Sequence, residues 1–394
     1  MKLLHALIFL APLLLSACGG GGNSGAGTTT PTPTTTTPAT TTPPPGTNNP
    51  PPVTNNPPPV TGTAGYFAYV ANFSDGTVSI YRVDANTGQL LIIGSVASGA
   101  APVSIAVTLS GQFVYVANAD SDTLSAFAID PVSGTLTAVA GSPFPTGSNP
   151  FSVTLDPSGQ FAYVANRASN NISAFTIDAT GALTAVTGSP FAAGLGPFSV
   201  TVDPAGKIAY VANFDSDNVS AFAIDAAGAL AAITGSPFAA GTSPASVFVD
   251  PLGKFAYVAN FNSNDVSGFT IDATGAFAPF ATAPVIAGTH PVCVTMDPAG
   301  KFAYVANRDT ASISAFMVDA SGALSAVAGS PFAAGMGPFS VTVDSPGQFA
   351  YTTNQFSNTV SIFMIDAATG ALTAVGTVQT GMEPVSLALA RIVP

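Results

Sequence analysis

Two ionisable side chains that are rare in this chain occupy equivalent positions in a repeated pattern. His290 is the only histidine after residue 5, and Glu383 is the only glutamate. Each directly precedes a proline that opens a run rich in β-branched and aromatic residues. An imidazole or a carboxylate in such a place can serve as a general acid or base. Asn149 and Ser243 hold two of the equivalent positions and are weaker candidates for ligand contacts.

Two arginines lie at a second recurring position, directly after a repeated asparagine. They are Arg167 and Arg308, and Arg308 belongs to the same repeat unit as His290. A guanidinium group can hold a carboxylate or stabilise an oxyanion. The functional hypothesis is a polar channel mouth formed by these arginines together with His290 and Glu383. The competing interpretation is that all four are solvated residues in variable loops.

The repeated asparagine belongs to the tetrapeptide Tyr-Val-Ala-Asn, which recurs along the chain. Intact copies begin at Tyr69, Tyr115, Tyr163, Tyr210, Tyr257 and Tyr304, and a degenerate copy begins at Tyr351. The copies are 46 to 48 residues apart. A fixed period in this range indicates the blades of a propeller or the units of a solenoid.

Each repeat unit contains four short runs with strand character. In one unit the predicted strands are 197–202, 208–213, 219–225 and 230–233. The turn after the first of them reads Asp203-Pro204-Ala205-Gly206, the order that a type I turn prefers. Short β-branched runs separated by turn residues predict an antiparallel sheet of four strands. The repeated asparagine is expected to bond to the backbone two residues on and so to fix its turn.

The two ends of the repeat region indicate how the structure closes. The first unit begins at its second strand, 67–72, and an unpaired strand of the first type, 384–389, follows the last unit. Docking of the last strand beside 67–72 as the innermost strand of the first blade would remove an exposed sheet edge. Strands of each type then number seven. The prediction is an all-β, seven-bladed propeller with four antiparallel strands per blade.

Three repeated motifs resemble those of known propellers. Tyr-Val-Ala-Asn, Asp-Pro-x-Gly and Gly-Ser-Pro-Phe are similar to the YVTN-type β-propellers and to the seven-bladed lactonase family, which includes 6-phosphogluconolactonases and muconate lactonising enzymes. The resemblance covers residues 66–394. It implies the propeller fold and a site at the mouth of the central channel. These motifs are structural, and no catalytic motif of the family aligns with the four candidate residues.

The N-terminal residues resemble the leader of a bacterial lipoprotein. Lys2 and an apolar run lead to Leu15-Ser16-Ala17-Cys18, which resembles a lipobox. This predicts a signal peptide at 1–17 and lipidation of Cys18. An ordinary secretory leader with a chance cysteine is the alternative. The resemblance implies an exported protein held at the membrane by a lipid anchor, and Gly19 after the cysteine favours the outer membrane.

Residues between the lipobox and the first repeat have a composition that cannot form a core. From residue 19 to 65 the chain consists mainly of Gly, Thr, Pro and Asn, without an aromatic residue. Such a segment is expected to be a disordered stalk that extends by about 3.1 Å per residue where it is rich in proline. The predicted organisation is therefore 1–17 signal peptide, 18–65 lipidated cysteine and stalk, and 66–394 propeller. Glycosylation of the threonines is left open.

Composition excludes some partners and cofactors. Charged residues make up 7% of the chain, and the formal net charge is −12, which repels the phosphates of nucleic acids. Cys293 is expected to be a buried, inert thiol, since a lipidated Cys18 leaves it without a disulfide partner. The pairs Asp120-x-Asp122 and Asp215-x-Asp217 match no complete calcium loop. No metal or other cofactor is predicted, and a monomer is expected.

The sequence is compatible with two functions. The favoured interpretation is a cell-envelope binding or scaffold module for a protein or glycan, including a lectin-like role. The alternative is a lactonase-like hydrolase of an extracytoplasmic lactone, for which a phosphosugar is a poor substrate because the chain is exported and has few basic residues. Convergence of His290, Arg308 and another polar group in a concave pocket would favour the enzyme. A scaffold could instead have its mouth closed by side chains of the linkers: Phe144, Phe191, Phe238, Phe332, Leu195 and Met336.

Overall fold

The computed structural model describes residues 65–282 and 284–392, and every regular element in these ranges is a β-strand. The predicted signal peptide, Cys18 and nearly all of the predicted stalk lie outside the described residues. None of the residues that are described belongs to a helix long and apolar enough to cross a membrane.

The strands fall into seven successive groups, which we call blades I to VII. Blade I begins with β1 (Tyr66–Asn72), β2 (Thr77–Val83) and β3 (Leu90–Ala97). Blade II contains β4 (Pro102–Val107), β5 (Phe113–Asn118), β6 (Thr123–Ile129), β7 (Leu136–Ala138) and β8 (Phe144–Pro145). Blade III contains β9 (Pro150–Leu155), β10 (Phe161–Asn166), β11 (Asn171–Ile177), β12 (Leu183–Ala185) and β13 (Phe191–Ala192). Blade IV contains β14 (Pro197–Val202), β15 (Ile208–Asn213), β16 (Asn218–Ile224), β17 (Leu230–Ala232) and β18 (Phe238–Ala239).

The remaining blades repeat this order. Blade V contains β19 (Pro244–Val249), β20 (Phe255–Asn260), β21 (Asp265–Ile271), β22 (Phe277–Pro279) and β23 (Val285–Ile286). Blade VI contains β24 (Pro291–Met296), β25 (Phe302–Asn307), β26 (Ser312–Val318), β27 (Leu324–Ala326) and β28 (Phe332–Ala333). Blade VII contains β29 (Pro338–Val343), β30 (Phe349–Asn354), β31 (Thr359–Ile365) and β32 (Leu372–Gln379), and the chain ends with β33 (Pro384–Arg391).

Each blade is a separate antiparallel sheet, and the last strand completes the first blade. Blade I has the order β3-β2-β1-β33, with Phe67 opposite Ala390 and Val70 opposite Leu387. The other blades follow chain order from their first strand outward. The predictions of seven blades, four antiparallel strands per blade and closure by the C-terminal strand are therefore confirmed.

The first strands of the blades form a closed inner ring. β4, β9, β14, β19, β24, β29 and β33 each contact the next, and β33 contacts β4. Serine hydroxyls connect several of these neighbours: Ser104 Oγ accepts the N–H of Val153 at 3.1 Å, and Ser386 Oγ accepts the N–H of Ile105 at 3.2 Å. The inner strands are thus fixed to each other as well as to their own blades, which gives the loops at their ends a rigid support.

The outer edges of blades II to VI differ from the sequence-based expectation. The fourth strand is shorter than predicted and ends at Ala232 in blade IV, and part of the predicted linker forms a fifth strand. There Phe238 lies opposite Val219, so that β18 pairs with β16. The sequence did not indicate this pairing, because it depends on which residues meet across the sheet and not on local propensity.

The tyrosine of each repeat connects its blade to the next. Its hydroxyl donates to the carbonyl of a glycine in the turn before the neighbour's fourth strand. The bonds are Tyr69 to Gly134, Tyr115 to Gly181, Tyr163 to Gly228, Tyr210 to Gly275, Tyr257 to Gly322, Tyr304 to Gly370 and Tyr351 to Gly88. The last bond returns to blade I. Seven buried hydrogen bonds therefore run round the whole propeller.

The asparagine of each repeat has a different role from the one expected. Asn213 Nδ2 donates to Asn218 Oδ1 and to Ser220 Oγ, both at 2.8 Å, and the other six asparagines make the corresponding pair of bonds. The prediction that the asparagine side chain bonds to the backbone two residues further along is therefore wrong. The amide joins the second strand to the third, and so it holds the start of the loop that carries the candidate residues.

Candidate functional site

The residues that precede the blade prolines share a left-handed backbone. Their φ angles are 55° at Ala101, 56° at Asn149, 62° at Gly196, 56° at Ser243, 54° at His290, 68° at Gly337 and 55° at Glu383. This region is unfavourable for residues other than glycine. Side chains of the preceding blade hold it in place: the N–H of His290 donates to Asn264 Oδ1, and that of Glu383 donates to Asn358 Oδ1, both at 2.8 Å. Strained backbone of this kind is common at functional sites.

Backbone bonds join this position to the residue after the repeated asparagine. The N–H of Arg308 donates to the carbonyl of His290 at 3.0 Å, and the N–H of Arg167 donates to the carbonyl of Asn149 at 2.8 Å. Both sets of candidate residues therefore lie on one face of the propeller, which we call the loop face. The turns between the first and second strands lie on the opposite face, which we call the turn face.

His290, Asp309 and Arg308 form a connected network on the loop face. His290 Nδ1 lies 2.5 Å from Asp309 Oδ2, and Arg308 Nε donates to Asp309 Oδ1 at 2.9 Å. His290 Nε2 makes no hydrogen bond to the described residues, and the side chain is 30% exposed. A carboxylate that holds one imidazole nitrogen and leaves the other free is the arrangement in which histidine acts as a general base.

The surroundings of Asp309 keep it ionised. Burial raises the pKa of this carboxyl, but the hydrogen bonds from Arg308 and His290, together with their charges, outweigh burial and hold the pKa below its usual range. An ionised Asp309 can orient the imidazole and stabilise it when it takes up a proton.

Phe261 fixes the positions of both basic groups in this network. The His290 ring stacks on it with centroids 4.2 Å apart and planes 5° apart. The Arg308 guanidinium lies over the same ring, 4.8 Å from its centroid, and the Arg308 side chain is only 3% exposed. Arg308 is thus buried between an aromatic face and a carboxylate, which makes it a support for Asp309 and His290.

Arg167 belongs to the same aromatic cluster. Its guanidinium lies 5.3 Å from the Phe214 ring and 5.5 Å from the Phe198 ring, and Phe214 lies 5.6 Å from Phe261. Its nearest acidic group is Asp215, at 3.9 Å. Burial lowers the pKa of Arg167, and Asp215 opposes this effect. The guanidinium makes no hydrogen bond within 65–282 and 284–392, so its N–H groups remain able to bind an anion.

The other three candidates are held elsewhere on the loop face. Glu383 Oε2 accepts a hydrogen bond from Ser74 at 2.8 Å, in blade I. Asn149 Nδ2 donates to the carbonyl of Ala119, and Ser243 Oγ accepts from Asn262. The structure gives these three residues no contact with His290, and their hydrogen bonds stabilise their own loops.

Sequence reasoning missed Asp309, Phe261 and Gln355. The dipeptide Arg308-Asp309 stands directly after a repeated asparagine, in the unit that contains His290, and this was the available signal for Asp309. Gln355 occupies the equivalent of the Arg308 position in blade VII. It is 0% exposed, and neither atom of its amide group has a partner among the described residues.

The linker phenylalanines do not close the mouth. Phe144, Phe191, Phe238 and Phe332 lie in the short fifth strands, opposite residues of the third strands. The expectation that they could close the channel mouth is therefore wrong, because cross-strand pairing holds them at the outer side of each blade. Leu195 and Met336 are exposed on loops.

Two other candidates behave as structural groups. Burial raises the pKa of the Cys293 thiol to about 11, so the reactive thiolate is disfavoured. In the Asp-x-Asp pairs, Asp122 and Asp217 each accept a backbone N–H from the start of the next blade, at 2.7 Å. The part of the chain that the structure describes contains no group of three or more His, Cys, Asp or Glu side chains that could hold a metal ion.

Fold and site together define a seven-bladed β-propeller with a carboxylate-oriented histidine on its loop face. The family model described as lactonase, 7-bladed beta-propeller matches residues 60–149, 142–242 and 225–389. The chain belongs to this family. The comparison with curated proteins gave no match.

Solved structures similar to this chain include three bacterial propellers. A candidate 6-phosphogluconolactonase from Bacteroides fragilis is 25% identical with a TM-score of 0.73, and the match covers 84% of this chain and 99% of that one. A second candidate 6-phosphogluconolactonase, from Bacteroides uniformis, is 21% identical with a TM-score of 0.75, covering 82% and 99%. The periplasmic gluconolactonase PpgL of Pseudomonas aeruginosa is 21% identical with a TM-score of 0.71, covering 83% and 99%.

Proposed function

We propose that this protein hydrolyses a lactone at the loop face, with His290 as the general base. The observation that carries the proposal is the pairing of His290 Nδ1 with an ionised Asp309 while Nε2 remains free. Membership of the lactonase family supports the reaction class. The binding or scaffold interpretation is second, because the family match supports a hydrolase more directly than a scaffold.

Each step of the reaction can be assigned to a residue of this cluster. His290 Nε2 takes a proton from water, and the water oxygen attacks the lactone carbonyl to form a tetrahedral oxyanion. Arg167, whose N–H groups are unoccupied among described residues, stabilises that negative charge. The bond between the carbonyl carbon and the ring oxygen then breaks, and the ring oxygen takes the proton from the imidazolium. The product is a hydroxy acid, which ionises in solution.

The distribution of basic residues favours a lactone without a phosphate group. Arg308 is committed to Asp309 and Phe261, and Arg167 is the group assigned to the oxyanion, which leaves neither arginine for a phosphate. The three lysines of the propeller, Lys207, Lys254 and Lys301, directly precede the second strands of their blades and so lie on the turn face. A sugar lactone or an aromatic lactone therefore fits the loop face better than a phosphorylated one does.

The test is hydrolysis of a panel of sugar and aromatic lactones by the full-length chain. We expect turnover, and we expect His290→Ala to lower kcat by about 10²- to 10⁴-fold. Ser243→Ala is the matched control, because Ser243 holds the equivalent backbone position in blade V. No turnover above the buffer rate, or equal rates for both variants, would contradict the proposal.

We also propose that the chain is a lipoprotein anchored through Cys18, most simply in the outer membrane. The support is the order of leader, small residues and cysteine in the sequence. The expected result is incorporation of a labelled fatty acid into the wild-type chain and none into Cys18→Ser. Equal labelling of both chains, or no labelling of either, would contradict the anchor.

A further inference from the structure

A cavity of about 480 Å³ lies on the turn face, between blades I, II and VII. Its volume is within the range of small-molecule sites. β33 begins next to Glu383 on the loop face and runs to Arg391, which lines the cavity. Eight strand residues span roughly 25 Å, so this cavity is distinct from the His290 cluster.

One face of blade I lines the cavity. This face is polar at the turn face of the propeller and apolar towards the middle of the strands. Tyr66 pairs with Arg391, Ala68 with Leu389, and Val70 with Leu387. Directly opposite residues, and residues two apart along a strand, share one face of a sheet. Arg391, Leu389 and Leu387 therefore follow one another inward on the same face as Tyr66.

Two polar groups of the cavity make no hydrogen bond to the described residues, although the Arg391 charge interacts with Tyr66 and Asp344. The phenol oxygen of Tyr66 is buried, and no described residue offers it a hydrogen bond. No described residue makes a hydrogen bond with the Arg391 guanidinium either. The carboxylate whose charge interacts with both groups is Asp344, and it accepts the N–H groups of Gln348 and Phe349 at 2.7 and 2.9 Å. Of the two groups only the Tyr66 hydroxyl is buried, and a ligand with acceptor oxygens would remove the cost of leaving it without a partner.

We propose that this cavity binds a small organic carboxylate with an aliphatic or aromatic body. The carboxylate oxygens accept hydrogen bonds from Arg391 and from the Tyr66 hydroxyl. The body of the ligand packs against Leu387, Leu389 and, from blade VII, Val343. The inference stands independently of the proposed lactone hydrolysis, since it uses none of the residues of the loop face.

The test measures binding of hexanoate and benzoate to the full-length chain by ligand-observed NMR, with hexanamide and benzamide as uncharged probes of the same shape. We expect dissociation constants of about 1 mM or below for the carboxylates and weaker binding of the amides. Arg391→Gln should weaken carboxylate binding at least about tenfold. Tyr66→Phe removes only the hydroxyl, keeps the packing, and should weaken binding by a smaller factor. Lys301→Gln is the control: it removes one positive charge from elsewhere on the turn face and should leave carboxylate binding unchanged.

Two results would overturn the proposal. One is the absence of carboxylate binding at concentrations about tenfold above 1 mM. The other is binding that His290→Ala abolishes and that Arg391→Gln and Tyr66→Phe leave intact, which would place the carboxylate at the loop face as a product of hydrolysis. Loss of lactone turnover in His290→Ala with unchanged carboxylate binding supports both proposals separately.

Discussion

At the scale of single residues, Asp309 determines what His290 can do. It holds Nδ1, which leaves Nε2 for water, and Arg308 holds the other carboxylate oxygen. Replacement of Asp309 by asparagine keeps the size of the side chain but removes the charge that stabilises the imidazolium.

We therefore expect Asp309→Asn to lower kcat by about 10²- to 10⁴-fold with little change in KM.

The substitution should also change the pH dependence of stability. The folded pKa of Asp309 is lower than its ordinary value, so its ionisation stabilises the fold fully above about pH 4 and this stabilisation is lost as the pH falls further. Urea unfolding from pH 6 down to about pH 3 should show a smaller loss in Asp309→Asn than in the wild type. An identical loss in both would contradict the ionised state of Asp309.

Arg167 gives a second prediction at this scale. If it stabilises the oxyanion, Arg167→Gln should lower kcat by about 10²-fold, a typical effect of losing one such donor, and should affect KM less. Arg308→Gln should lower kcat and also reduce stability, because it removes a buried guanidinium that packs on Phe261 and bonds to Asp309. A kinetic comparison combined with thermal unfolding separates the two roles. Equal loss of stability in both variants would mean that Arg167 is also a structural group.

At the scale of strands and turns, the tyrosine hydroxyl of each repeat contributes to the free energy of unfolding. Tyr210→Phe removes the bond to Gly275 and leaves that buried carbonyl without its donor. We expect a loss of about 1–3 kcal/mol in the free energy of unfolding, measured with urea. Tyr66→Phe is the control, because its hydroxyl has no partner among the described residues and its removal should cost little. Equal destabilisation by both changes would show that ring packing, and not the hydrogen bond, connects the blades.

Much of the fold could be predicted from sequence, because the period, the turn residues and the unpaired terminal strands are local features of the chain. The fifth strands, such as Phe238–Ala239, could not, since they form only where two segments meet across a sheet. The same reason applies to the site. His290 and Arg308 were found because they are rare and recur at fixed positions, whereas the contribution of Phe261 comes from the neighbouring blade. Glu383 is equally rare in the sequence, but it lies outside the cluster and accepts a hydrogen bond from Ser74 of blade I.

At the scale of the whole molecule, all nine tyrosines depend on the fold for their protonation state. Burial is the largest cause that raises the pKa of every one of them, to about 12 for Tyr81. A raised folded pKa contributes stability that is complete below about pH 10 and is lost as the pH rises further. We expect little phenolate absorbance in the native protein just above pH 10, followed by a steep rise that coincides with loss of β-sheet circular dichroism. A gradual rise while the sheet signal persists would contradict this coupling.

Closure of blade I by β33 links the first strand of the propeller to the last. During synthesis β1 leaves the ribosome long before β33, the strand that pairs with its inner edge. The hydrogen bond from Tyr351 to Gly88 likewise forms only after most of the propeller has been synthesised. Assembly of the ring is therefore complete only after β33 has been synthesised. A product that terminates early, at any point before Pro384, lacks the strand that covers the inner edge of blade I and leaves that edge open to proteases. Closure of the ring thus depends on synthesis having reached the strand Pro384–Arg391.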